Sequence, residues 1–97
     1  MELNKLQKYI VDTQRQMKTP FLSGAEIMLA LTEEIGEISR EVALLEQIGS
    51  KTEWNKSPSN ASLAEEMIHA INLLLVLANQ FDLNLLQAYV EYLEKED

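Results

Sequence analysis

Cysteine is absent from this chain of 97 residues, which removes disulfides, thiolate metal sites and cysteine nucleophiles together. That absence suits a reducing compartment, and the cytoplasm is the expected location. Glycine and proline are scarce, at three and two residues, so the chain has few points at which a helix is forced to stop. Basic residues number 8 against 16 acidic ones, and the resulting net charge of -8 repels phosphate polymers, so no nucleic-acid polymer is expected as a partner. Long apolar runs are missing too. The longest, Leu73 to Ala78, is far shorter than the roughly 20 residues of a bilayer span. The opening Met1-Glu2-Leu3-Asn4-Lys5-Leu6 interleaves polar residues where an export signal needs a basic stretch followed by an apolar one. The expectation is a soluble protein with no membrane partner, folded as a single domain over residues 1–97.

What the chain does have is hydrophobic residues at 46% and charged residues at 25%, the balance of an ordinary globule. The polar clusters at 18–24 and 49–62 divide it into four stretches of helical periodicity, with no strand pattern, so the predicted fold is an all-α helical bundle. The first stretch, near 2–17, places Leu3, Leu6, Ile10 and Met17 on one face. The second, about 24–48, opens with the capping box Ser23-Gly24-Ala25-Glu26 and has Gly49 at its end. Its apolar seam reads Leu31, Ile35, Ile38, Val42 and Leu45. A polar loop carrying Trp54 follows, and the third helix starts at Pro58 or at the box Ser62-Leu63-Ala64-Glu65 and ends near Gln80. The fourth, about 83–95, aligns Leu83, Leu86, Val90 and Leu93 behind Asp82 as a cap. Between Met67 and Ala78 the third helix is apolar except at His69 and Asn72. A helix apolar nearly all round is buried nearly all round, which implies that a second copy covers what one chain cannot, in a homodimer or larger.

Glutamates concentrate on the second helix. Glu26, Glu33, Glu34, Glu37 and Glu41 share an arc of about 100°, with Glu34 on the border of the apolar seam. On the third helix Glu66, His69 and Asn72 follow one another at spacings of three. Gathering Glu34, Glu37 and Glu66 at a helix contact adds like-charge repulsion to the cost of burial, and a divalent cation held by oxygen ligands relieves both. Each feature also has a plainer meaning. Glutamates on a helix form solvated faces or caps, as at Glu26 and Glu65. A lone histidine is often a hydrogen-bonded core group and Asn72 a device that fixes helix register. Trp54 reads as a lid on the core, and Gly36 as a site of close helix packing.

Taken together, Leu29-Ala30-Leu31-Thr32-Glu33-Glu34-Ile35-Gly36-Glu37-Ile38 and Leu63-Ala64-Glu65-Glu66-Met67-Ile68-His69-Ala70-Ile71-Asn72, followed by Leu77-Ala78-Asn79 and Phe81-Asp82-Leu83, resemble the MazG-like all-α nucleoside triphosphate pyrophosphohydrolases. That family pairs a Glu-Glu-x-x-Glu helix with a later Glu-Glu-x-x-Asp helix, and the resemblance spans residues 27–90. It implies hydrolysis of nucleoside triphosphates to monophosphate and pyrophosphate, magnesium held by four acidic side chains, a dimer or tetramer, and a role in clearing noncanonical nucleotides. Carried over by position, Glu34, Glu37 and Glu66 match metal ligands, and His69 stands where the family has aspartate. Imidazole is a poor ligand for magnesium and a better one for manganese, iron, cobalt or zinc. The family's basic, amide-rich tail has no counterpart in Glu91-Tyr92-Leu93-Glu94-Lys95-Glu96-Asp97, where Lys95 is a weak substitute.

The implied mechanism is metal-assisted attack of water on the α-phosphorus. Glu33, Glu41 and Glu65 are candidates for orienting ligands or a water, Lys18, Lys51 and Lys56 for meeting phosphate, Trp54 or Phe21 for stacking on a base, and Asn72 for contacting substrate. Two other readings stay open. Glu66-x-x-His69 has the spacing found in di-iron and di-manganese carboxylate bundles, and a helical interaction module that keeps the fold without the chemistry is the other alternative.

Overall fold

A computed structural model describes residues 2–15, 23–48 and 59–96 of the chain. They form four α-helices and no strand: α1 Leu3–Arg15, α2 Gly24–Glu46, α3 Asn60–Gln80 and α4 Leu85–Glu96. The all-α architecture expected from the periodicity is present. α2 and α3 lie side by side as an antiparallel pair: Gly24 at the start of α2 approaches Leu77 and Phe81 at the end of α3, while Glu34 meets His69 further along. α1 packs on α3, and α4 packs on α1.

The ends of the helices follow local chemistry. Ser23 Oγ accepts the backbone N–H of Glu26 at 3.2 Å, which satisfies one of the free donors at the start of α2. α3 begins neither at Pro58 nor at Ser62: Ser59 is its cap, its Oγ accepting the Ser62 N–H at 3.2 Å. α2 stops before Gly49, because Gln47 adopts the left-handed conformation at φ 53° and the Ile48 N–H turns back to the Ala43 carbonyl at 3.1 Å. Asp82 does the same for α3. At φ 55° it is the left-handed residue of a Schellman turn, with the Leu83 N–H bonded to the Ala78 carbonyl at 2.9 Å. Asp82 therefore ends α3, and the cap of α4 is Asn84, whose Oδ1 accepts the Gln87 N–H at 3.0 Å. Asp and Asn tolerate both environments because their short side chains bond nearby backbone.

Ile10, Ile27, Leu75 and Val76 form the centre of the core, with Leu3, Leu6, Leu73, Leu77 and Leu85 packed around them. Gln7, one turn from both Leu3 and Ile10 on α1, is only 8% exposed and fully engaged. Its Nε2 donates to Asn79 Oδ1 at 2.8 Å and to the Leu83 carbonyl, its Oε1 accepts the Leu85 N–H at 3.4 Å, and Asn79 Nδ2 donates to its backbone carbonyl at 3.2 Å. A buried amide with such a set of partners is compensated for lost hydration, and this one ties α1 to the turn between α3 and α4.

The buried face of α2 is rotated from the seam read in the sequence. Ile27, Leu31, Glu41 and Leu44 are buried, and Ile35, assigned to the seam, is half exposed. Ile38, Val42 and Leu45 are only partly covered. Because α3 is the one helix packed closely on α2, a single stripe is enclosed and the Met28 and Ile35 edge is left outside. α3 shows the same pattern: Met67, Ile68, Ile71 and Leu74 are exposed. Among the described residues, α3 is also long and apolar enough, by length and composition, to cross a membrane; mostly buried core helices of soluble proteins pass the same test, and here 22% of the apolar window is buried. Gly36 marks no close packing, since an added Cβ would meet nothing within 4 Å.

Candidate metal centre

The rotation of α2 brings its glutamate edge onto α3. Glu34, in the middle of α2, faces Glu66 and His69, which one turn of α3 presents side by side. His69 Nδ1 lies 3.6 Å from Glu34 Oε2 and 3.7 Å from Glu66 Oε2, and donor atoms of the three residues fall within 4.8 Å of one another. Both carboxylates are about three-quarters buried, at 24% and 21% side-chain exposure, and His69 at 45% forms the open side of the cluster. Glu34 Oε2 itself is shut off from solvent and makes no hydrogen bond among the described residues. A carboxylate oxygen in that position has lost its water and gained only a neighbouring ring nitrogen beyond hydrogen-bonding distance.

These donors fit a metal dication. Two ligand atoms each about 2.1 Å from one ion stand between about 3 and 4.2 Å apart, depending on the angle between them. The two His69 separations lie within that interval before any side chain adjusts. Three protein ligands from a rigid helix pair also leave coordination positions open towards solvent, as a catalytic ion requires.

The other sequence candidates are placed differently. Glu37, expected as a ligand beside Glu34, is ion-paired with Arg40 on its own helix and is not one of the three clustered residues. Glu33 and Glu65 are exposed beside Glu34 and Glu66, and Glu26 is exposed at the Ser23 cap. Asn72 is half-buried one turn beyond His69. Lys18, Phe21, Lys51, Trp54 and Lys56 lie outside the described residues. Two residues carry more weight than the sequence reading gave them. Glu41 was assigned to the same acidic arc yet is fully buried, and its spacing of seven from Glu34, two full turns, is the signal that puts both on one face. Arg40, to which the sequence assigns no role, pairs with Glu37.

A separate cleft of about 430 Å³ opens at the far end of α3, lined by Gln7, Lys8, Asp12, Asn79, Asp82 and Asn84 among others. Ten residues of helix, roughly 15 Å, separate His69 from Asn79, so this cleft does not include the cluster. The chain matches no family model, no curated protein and no solved structure.

Proposed function

We propose that this protein is a metal-dependent nucleoside triphosphate pyrophosphohydrolase of the MazG-like kind, releasing monophosphate and pyrophosphate. The observation that carries the reading is the convergence of Glu34 with Glu66 and His69, two ends of the motif pair meeting across one helix contact. Magnesium, or manganese in its place, would supply charge to neutralise the triphosphate and polarise its phosphoryl oxygens. The chain's own part is to hold and orient. Glu34 and Glu66 fix two oxygens on facing helices, so their separation is set by packing and not by loop motion. Their burial keeps competing water from one side, while the exposed flank of His69 is where an anionic substrate approaches. Glu37, paired with Arg40, is proposed as a further ligand, Glu33 to orient a water, and Asn72, one turn beyond His69 on α3, to contact substrate. Lys18, Lys51 and Lys56 are proposed to meet phosphates and Trp54 to stack on the base.

The working form is proposed to be a homodimer or homotetramer in the cytoplasm. The exposed stripe Met67, Ile71 and Leu74, with Ile35 and Met28 beside it, supports this, because apolar side chains gathered on one flank are more stable against a second copy than against water. A pair of copies would also hold two sets of Glu34 with Glu66-x-x-His69, the inventory of a di-metal carboxylate bundle, and this is the second reading.

The decisive experiment incubates the purified protein with a panel of ribo- and deoxyribonucleoside triphosphates under magnesium and then manganese, resolving monophosphate, diphosphate, pyrophosphate and orthophosphate. Monophosphate with equimolar pyrophosphate is the expected result. Absence of turnover with either metal would sink the enzyme reading and leave the helical interaction module, and a visible or near-ultraviolet charge-transfer band in iron-loaded protein would favour the di-metal bundle.

A further inference from the structure

We infer that the Glu34, Glu66 and His69 centre selects a first-row transition-metal dication over magnesium, with His69 Nδ1 as the selecting ligand. The inference rests on the metal-centre reading above and concerns which ion that centre takes. Its ground is geometric. His69 Nδ1 is the donor atom found near both carboxylates, at 3.6 and 3.7 Å, so an ion seated between Glu34 and Glu66 meets the ring nitrogen as its third ligand. A third acid, Glu37, is engaged by Arg40, so the set gathered here is two oxygens and one nitrogen.

Magnesium is hard, small and reluctant to exchange water for nitrogen, whereas manganese, iron, cobalt and zinc accept mixed nitrogen and oxygen sets. An imidazole, unlike a carboxylate, also brings no negative charge to the ion. Of the two effects, the missing charge weakens every dication alike, and the nitrogen discriminates among them. The buried Glu34 Oε2, which accepts no hydrogen bond among the described residues, is the oxygen such an ion would satisfy.

The test uses the full chain stripped with chelator and reloaded with manganese alone, magnesium alone, or both in competition. Manganese is expected to bind at least about a hundredfold more tightly than magnesium by calorimetry, and His69→Asp to shrink that ratio by about tenfold or more. Electron spin echo spectroscopy of the bound manganese is expected to show modulation from a coordinated nitrogen in the parent protein and none in His69→Asp or His69→Gln. A ratio unchanged by His69→Asp, or bound manganese without nitrogen modulation, would overturn the inference, as would failure to bind manganese at millimolar concentration. The nitrogen signal comes from the parent protein, so the test survives a variant that does not fold. It also stands apart from turnover: nitrogen-ligated manganese without pyrophosphate release would uphold the selectivity and defeat the hydrolase.

Discussion

Arg40 and Glu37, three residues apart on α2, form an ion pair, while the carboxylates of Glu34 and Glu66 cluster with His69 across the α2–α3 contact, so the acidic edge of α2 is divided between two uses. A half-exposed pair of this kind contributes only about 0.2–1 kcal/mol. Arg40→Ala should release Glu37 and raise manganese affinity by up to about fivefold, read by calorimetry. An affinity unmoved by the substitution would show that Glu37 plays no part in metal binding.

Removing a carboxylate from the cluster separates metal chemistry from architecture. Glu34→Gln keeps the shape and deletes a charge next to Glu66, so without metal its unfolding temperature should stay level or rise. With metal at a hundred times its dissociation constant the parent protein should gain about 2.7 kcal/mol, and the variant little. Thermal unfolding with and without manganese checks both halves, and an equal metal shift in the two proteins would exclude Glu34 as a ligand.

Gln7 is the polar group on which the packing of α1 depends. Gln7→Ala leaves Asn79, the Leu83 carbonyl and the Leu85 N–H short of partners in a part-buried place, a loss of about 1–3 kcal/mol. Chemical denaturation should show that drop in midpoint. A cycle with Asn79→Ala should return a coupling of at least about 0.5 kcal/mol, and additive effects would mean that the two amides act independently.

Gly36 lies on the exposed side of α2 with open space where a side chain would stand. Gly36→Ala should stabilise the protein by about 0.5–1 kcal/mol through helix propensity alone. Destabilisation would point to another surface closing on that face in the assembled protein.

The apolar flank makes its own prediction. Ile71→Glu, in the exposed stripe of α3, should convert a dimer or tetramer into a monomer in sedimentation velocity while leaving the helical circular dichroism in place. Parent and variant sedimenting alike would remove this flank as the contact.

Helix number and the placing of α2 and α3 were readable from periodicity and capping, because those signals are local. Ser23 announced the start of α2 three residues ahead of Glu26, and its half of the expected box is present, Oγ accepting the Glu26 N–H. Which stripe of α2 turns inward was less readable, since Ile35 and Leu44 are both apolar and only the position of α3 decides between them. The same rotation buried Glu41, which composition alone assigns to water. Asp82 was misassigned for a different reason: the residue types that cap a helix start also tolerate the left-handed turn that ends one, and just two residues separate the roles. The gathering of Glu34, Glu66 and His69 was legible from their spacing on two helices, while the pairing of Glu37 with Arg40 is a side-chain choice that spacing does not rank.

The contact of Gly24 with Phe81 reaches further than its place at the edge of the fold suggests. A Cβ at residue 24 would come to 3.1 Å from the Phe81 ring, so glycine is what lets the start of α2 lie this close to the end of α3. Ten residues up one rod from that contact stands Glu34, and twelve residues down the other stands His69. A slip of one helical turn is about 5.4 Å, more than the whole separation of those two side chains. The gathering of the donor atoms therefore tolerates less than one turn of change in the stagger of the two rods.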